Sequence, residues 1–487
     1  MNAKDIEIVA AISPLRADND TTTHRPPFDP TVERRILRKL DFQFVPVLFC
    51  LFLVSFIDRG NIGNAKIQGL DKSLHLHGNQ YNMAVMAFTL AYVITGIPMN
   101  IVFKKTGPKS LSVMMFLWGL TVIGQGLIES YAGLIACRVL EGICESGFIP
   151  GCSYLIGAYY KKDEFLKRYA VFFSAAILAG AINGLLATAI SNMAGVGGYE
   201  GWRWIFIIEG LCTLVVSVVS WFIMMPFPED STIFSAEDKI ALLARLEDDG
   251  GNVTNDELSF RKICKHLLDW KIWVAIVTYV GAEESAASVV SFQPAILKGL
   301  GYTSVEAQVH SIPIYAVSFV FTLTCAYISE RICQRYVFSV VGAFIAIIGL
   351  AVEIAQPKDA RIRYMGMFFV TAGPYLIMPI TIVWLAINAG KGYKRTVAFA
   401  CVSALGNCGA FVSSNVFITA ESPTYHTGFS TNMAFMCISL ASMTVMYVGL
   451  RIVNGKRDRN RALLPGVLEE KEFEDAGEDH PDFRYQL

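Results

Sequence analysis

The chain has 487 residues, 53% apolar and 17% charged, which is too hydrophobic for a soluble domain of this size. Its 41 basic and 42 acidic residues leave a formal net charge of −1, which excludes the basic surface that nucleic-acid binding requires. A helix needs roughly 20 mostly apolar residues to cross about 30 Å of hydrocarbon, and runs of that kind make this an all-α polytopic membrane protein.

In chain order, residues 1–40 form an N-terminal tail without the apolar core of a cleaved signal, so the first span itself directs insertion. Six apolar runs follow, at about 42–64, 83–103, 110–129, 132–157, 169–193 and 203–225, and they assign an N-terminal six-helix bundle to 41–225. The longest polar segment, 226–271, is read as a bridge. It opens with a helix cap at Ser235 and the amphipathic positions Ile240, Leu242, Leu243 and Leu246, and it ends in an interfacial stretch at 258–273. A second six, at 272–292, 310–329, 336–356, 364–387, 396–418 and 431–453, assigns a C-terminal bundle to 272–453. The remaining 454–487 form an acidic tail whose "EEKEFEDAGEDHPDF" reads as solvated.

Lysine and arginine gather in the loops near 34–39, 104–109, 161–168, 331–335, 391–395 and 451–461, and the opposite loops hold far fewer. The positive-inside rule then puts both termini in the cytosol. The sequons at Asn19 and Asn252 fall on that side and are expected to be silent. The 11 cysteines show no Cys/His ligand spacing, which favours packing and gives no metal site.

The stretch "FIDRGNIGNAK" (56–66) places two charges in the first span. Residues 42–57 alone would make a helix of about 24 Å, too short to cross, whereas continuation to Lys66 suffices and puts Asp58 and Arg59 inside the membrane. Neighbours on a helix diverge by about 100°, so one faces a cavity while the other reaches another helix. In the fourth span, "RVLEGICESGFIPG" sets Arg138 and Glu145 seven residues apart on one face, with Glu141 about 60° away and Pro150 able to kink the helix. The seventh span carries Glu283 and Glu284 near its centre. Glu209 in the sixth reads as a structural pair and Glu353 near the end of the ninth as interfacial. Intramembrane charges cost a few kcal/mol each and mark a functional site, or else ion pairs that lock the bundle.

These motifs, with "GWRWIFIIEG" (201–210) and "KRTVAFACVSALGNCGAFVSSNVF" (394–417), resemble the major facilitator superfamily. Within it they are similar to the anion:cation symporter family, in the fungal branch of allantoate, nicotinate and pantothenate permeases. The resemblance covers about 40–455 and implies two six-helix bundles of inverted repeats, with spans one, four, seven and ten around a central site reached alternately from either side. Carried over by motif, Arg59 and Arg138 would bind the substrate carboxylate, and Asp58 and Glu145 would accept the coupling proton.

A neighbouring arginine and desolvation act on a buried carboxylate in opposite senses, so opening and closing the cavity can switch its charge. Protonation would free the arginine for the anion, and the two bindings would help one another. Tyr92, Asn183, Tyr375 and Asn407 are the candidates for setting the substrate, packing being the alternative for each. The "FKKTGPKS" loop lacks the acid of the superfamily's usual signature after the second span. Glu283 and Glu284 stand where neutral residues are the norm; as cavity residues they would favour a substrate with a cationic or hydrogen-bond-donating part.

The expected function is proton-coupled uptake of a small organic anion, such as nicotinate, pantothenate, allantoate or another monocarboxylate. The protein would work as a monomer at the plasma membrane, with the proton as coupling ion and no other cofactor. An efflux carrier for a fungal metabolite or drug is the alternative. A nutrient sensor would need a larger cytosolic extension than these tails, and no nucleophile, metal spacing or phosphate loop points to an enzyme.

Overall fold

The computed structural model describes residues 30–231, 233–248, 268–332, 334–389, 393–463 and 484–487. The expectations for residues 1–29, both sequons, the stretch 258–267, the basic position at 391 and most of the acidic tail lie outside these residues.

In hydrocarbon a backbone must satisfy its own N–H and C=O groups, and helices do so within one segment. The chain begins with α1 (Pro30–Gln43), then α2 (Val45–Ile67), whose Pro46 sits in the first turn where no intrahelical donor is lost. There follow α3 (Gln80–Thr106), α4 (Ser110–Leu127), α5 (Tyr131–Glu145), α6 (Phe148–Tyr159), α7 (Lys162–Ser191) and α8 (Gly201–Ile223). The bridge helix α9 (Ala236–Asp248) leads to α10 (Trp270–Gly299), α11 (Ser304–Ile332), α12 (Arg335–Ala355), α13 (Ala360–Asn388), α14 (Tyr393–Gly406), α15 (Cys408–Val416) and α16 (His426–Leu463).

Among the described residues, eight helices are long and apolar enough to cross a membrane, or nine with α3, which is bent by 56° around Pro98. The other spans are the α5–α6 and α14–α15 pairs and α10, and these are interrupted or carry acids. The α5–α6 break falls at Ser146–Gly147, four residues before Pro150, because a proline at i lacks the N–H that would bond the carbonyl at i−4. Gly142 lets α5 lie against α3: a Cβ there would be 2.4 Å from the Phe88 carbonyl oxygen.

Contacts between the two halves close on both sides of the centre. Away from the basic loops, Asn82 Nδ2 donates to Phe417 O (3.1 Å) and Thr188 Oγ1 to Gln308 Oε1 (2.6 Å). At the basic end, Phe399 packs on Phe165 and Tyr169, with ring centroids 5.4 and 5.8 Å away, and Lys167 Nζ lies 3.0 Å from Glu330 Oε1.

Glu353, two residues from the end of α12, is fully buried and accepts from Arg363 Nε (3.1 Å), so it joins α12 to α13. The acidic stretch 469–483 lies outside the described residues, and the described end of the tail, 484–487, is held against the second bundle. Asn454 exchanges two hydrogen bonds with the backbone of Tyr485 (2.8 and 2.9 Å), and Asn388 exchanges two with Gln486 (both 2.9 Å), so the segment ties α16 to α13.

The bridge and α1 form a charged collar at the basic end. Ser235 Oγ caps α9 by accepting from Asp238 N (3.2 Å), and Leu242 is fully buried. Arg245, also fully buried, donates to Glu33 (2.7 Å) and Glu164, while Arg35 pairs with Asp238. The hydrogen bond from Arg245, reinforced by Lys161, holds the Glu33 carboxyl below the usual carboxylate range. A carboxyl depressed in the folded state stabilises fully above its unfolded value, about 4.3, and loses that contribution as pH falls through the folded value. In thermal denaturation of the detergent-purified protein, Glu33→Gln should cost about 1 kcal/mol at neutral pH. The difference from wild type should stay constant down to about pH 5 and shrink below about pH 4.3. A constant difference through that lower range would assign the effect to packing.

Candidate functional site

The central cavity lies between α2, α3 and α5 on one side and α10, α13 and α15 on the other, with Asn407 at the α14–α15 break. It encloses about 650 Å³ of space not filled by atoms, counting its opening to solvent. Its polar lining comprises Arg59, Thr89, Tyr92, Arg138, Glu283, Ser291, Tyr375, Asn407 and Ser413.

On α2 the 100° step between neighbours sends Asp58 and Arg59 to different places. Arg59 faces the cavity; its Nε donates to Glu145 Oε1 on α5 at 2.7 Å, and Ser55 Oγ, one turn earlier, donates to the same oxygen at 2.6 Å. The Arg59 guanidinium lies 4.9 to 5.4 Å from the ring centroids of Phe56, Phe88 and Tyr92, and its buried Nη2 has no hydrogen-bond partner. Asp58 is turned away, behind α2. It accepts from Trp118 Nε1 on α4 (3.1 Å) and Thr213 Oγ1 on α8 (2.8 Å), and its second oxygen is unpartnered.

Arg138 also faces the cavity, 4.5 Å from the Phe88 ring centroid. Its Nη1 donates to Glu141 Oε2 (2.8 Å), which also accepts from Gln125 Nε2 (2.8 Å), and its Nε is buried without a partner. Although Arg138 and Glu145 share a face, each pairs elsewhere. The result is two separate arginine–carboxylate pairs on one wall, each arginine keeping one buried nitrogen without an acceptor. Desolvated in this way, a guanidinium is a strong donor to an entering carboxylate.

Of the remaining candidates, Tyr92, Tyr375 and Asn407 line the cavity, and the buried hydroxyls of both tyrosines have no partner. Asn407 Nδ2 donates back to Ser403 O (2.5 Å), which occupies the amide nitrogen at the α14–α15 break. Glu283 lines the cavity from α10. Glu284 does not: it is fully buried toward α16, where the Asn432 amide, oriented by its network, donates to Glu284 Oε2 (2.9 Å) and accepts from Ser288 Oγ (2.8 Å).

Asn183 lies outside the central lining. It accepts from Asn64 Nδ2 (2.6 Å) and donates to Ile57 O (3.0 Å), binding α7 to α2 beside a smaller cavity with Gln293 and Tyr315. Gly60 makes this contact possible, since a Cβ there would be 2.0 Å from Asn183 Nδ2. Glu209, read as half of a pair, has two buried oxygens without a hydrogen-bond partner.

Sequence reasoning missed three parts of this wall. Phe56 and Phe88 form the aromatic bed of the guanidiniums. Phe88 stands one turn before Tyr92, so the i, i+4 spacing carried a usable signal. Glu141, known to lie near the Arg138 face, proves to be its partner because an i, i+3 pair closes more readily than one seven residues apart.

Comparison with known proteins is consistent with this architecture. A family model described as Major Facilitator Superfamily matches residues 48–446. The chain is 28% identical to the high-affinity nicotinic acid transporter of Saccharomyces cerevisiae over 459 residues, covering 93% of this chain and 85% of that one. It is 28% identical to the MFS-type transporter efuF of Hormonema carpetanum over 434 residues, 88% of each. Among solved structures, the proton:xylose symporter XylE bound to 6-bromo-6-deoxy-D-glucose matches in fold with a TM-score of 0.68 at 13% identity, over 83% of this chain and 95% of that one.

Proposed function

Because this chain belongs to the Major Facilitator Superfamily and is therefore an integral membrane transporter, we propose that it takes up a small organic anion together with a proton by alternating access. The substrate class is a monocarboxylate such as nicotinate, pantothenate or allantoate. The nicotinic acid transporter among the relatives supports that class. The observation that carries the reading is the Arg59–Glu145 pair on the cavity wall.

Glu145 accepts the hydrogen bond of Arg59 Nε. A proton on Glu145 removes its charge and leaves Arg59 free to pair with the substrate carboxylate, while the guanidinium of Arg138, which lines the same cavity, pairs with the same anion. Proton and anion then favour each other's binding, which is the coupling a symporter requires. Asp58, held behind α2 by Trp118 and Thr213, is the second proton site of this reading. The membrane potential works against an inward-moving anion by about 2.3 kcal/mol per charge per 100 mV, and at least one accompanying proton removes that opposition. The basic loops face the cytosol, both chain ends lie there, the membrane is the plasma membrane, and one chain suffices for transport.

The test is external pH in a weakly buffered suspension of transporter-deficient yeast expressing the protein and challenged with a panel of monocarboxylates. Alkalinisation on addition of one class of anion supports proton symport of that class. Silence toward every anion at normal surface expression would sink uptake and favour an exporter.

A further inference from the structure

The cavity is chemically two-sided. The α2–α5 wall holds both guanidiniums, each already beside a carboxylate of its own bundle. The α10–α13–α15 wall has no basic residue among its lining residues and one acid, Glu283. Glu283 is only 8% exposed, yet no described residue donates a hydrogen bond to it, in contrast with its neighbour Glu284, which Asn432 satisfies. A carboxylate held this way in a membrane interior is costly unless something arrives to meet it. The buried hydroxyls of Tyr92 and Tyr375 line the same space, also unpartnered.

Charge counting shows what fits. Counted as ionised, the three carboxyl groups in and beside the cavity (Glu141, Glu145 and Glu283) outnumber its two arginines by one, and the site then carries one net negative charge. One proton and a plain monocarboxylate leave that charge in place. One proton and a zwitterion, carrying one carboxylate and one cationic group, bring the loaded site to neutrality, the least costly state for a site that must close within the membrane.

We propose that the physiological substrate is a zwitterionic carboxylate, its carboxylate held by Arg59 and Arg138 and its cationic group by Glu283 across the cavity. This rests on the carboxylate reading above and replaces its plain anion with a carboxylate that carries its own cation. Glu283 thereby acts as a specificity residue on the opposite half from the anion site, so that one substrate bridges the two halves as the cavity closes.

The experiment measures initial uptake, in transporter-deficient yeast, of two radiolabelled pairs that differ by the cation alone: nicotinate with N-methylnicotinate, and butyrate with 4-aminobutyrate. For at least one pair, the wild type should take up the zwitterion about tenfold faster or more. Glu283→Gln should bring that ratio near unity with a gain for the plain anion, and Glu283→Asp should keep the wild-type preference. Plain anions carried as fast as zwitterions, with a ratio unmoved in Glu283→Gln, would overturn the proposal and leave the monocarboxylate reading intact. Failure to transport either member of both pairs, at normal surface expression, would overturn this proposal, and silence toward the whole monocarboxylate panel as well would overturn the two together.

Discussion

Arg59→Lys is expected to lower initial uptake of the transported anion by about 100-fold, normalised to protein at the cell surface. The substitution keeps a positive charge beside Glu145, so the bundle is spared an uncompensated buried carboxylate, and the loss reports on recognition. An arginine at this position does three things at once. Its Nε holds Glu145, its guanidinium lies against the rings of Phe56, Phe88 and Tyr92, and its buried Nη2 is left without a partner. An ammonium is a compact point charge on a flexible stem and cannot divide itself between Glu145 and a substrate with that geometry. Truncating one partner of a desolvated charge pair typically costs about 2–5 kcal/mol, a range that contains the expected effect. Uptake within about threefold of wild type would remove Arg59 from the binding site.

The second large effect is expected at Glu145. Glu145→Gln keeps an oxygen that can accept from Arg59 Nε and Ser55 Oγ, so packing around the pair is preserved, but it can neither gain nor lose a proton. Accumulation of substrate against its gradient should fall by at least about tenfold, and the accompanying alkalinisation should disappear. Exchange of labelled for unlabelled substrate across the membrane, which needs binding and alternation but no net proton movement, should persist within about threefold. This split separates coupling from binding, since a merely structural carboxylate would damage both together. Proton-driven accumulation that survives in the variant would place the coupling site elsewhere, with Asp58 the next position to substitute.

Both expectations turn on the way the two charged helices meet. Glu145 sits at the end of α5, just before the break at Ser146–Gly147, and Arg59 sits on α2 one turn beyond Ser55. The pair therefore joins two helices at a point where one of them is interrupted.

Much of this was legible in the residues alone. Hydropathy determined the class of protein and where its helices run, because the cost of bare backbone in hydrocarbon leaves few other solutions. Helical geometry determined that Asp58 and Arg59 diverge and that the fourth-span charges share a face, because 100° per residue is a local property. The same local rules flagged Pro150 as a kink and Ser235 as a cap; Tyr92, Tyr375 and Asn407, which do line the cavity, came instead from what the family resemblance implies about the helices around it.

Only the tertiary structure decided partners. Arg138 takes Glu141 and leaves Glu145 to Arg59; Glu284 turns to Asn432 while its neighbour Glu283 stays in the cavity; Asn183 is consumed in binding α2; Glu353 is buried against Arg363. The physical reason is the same in each case. A sequence fixes the angle at which a side chain leaves its own helix, but which group it meets depends on the rotation and depth of a second helix. Those are set by packing between segments tens to hundreds of residues apart.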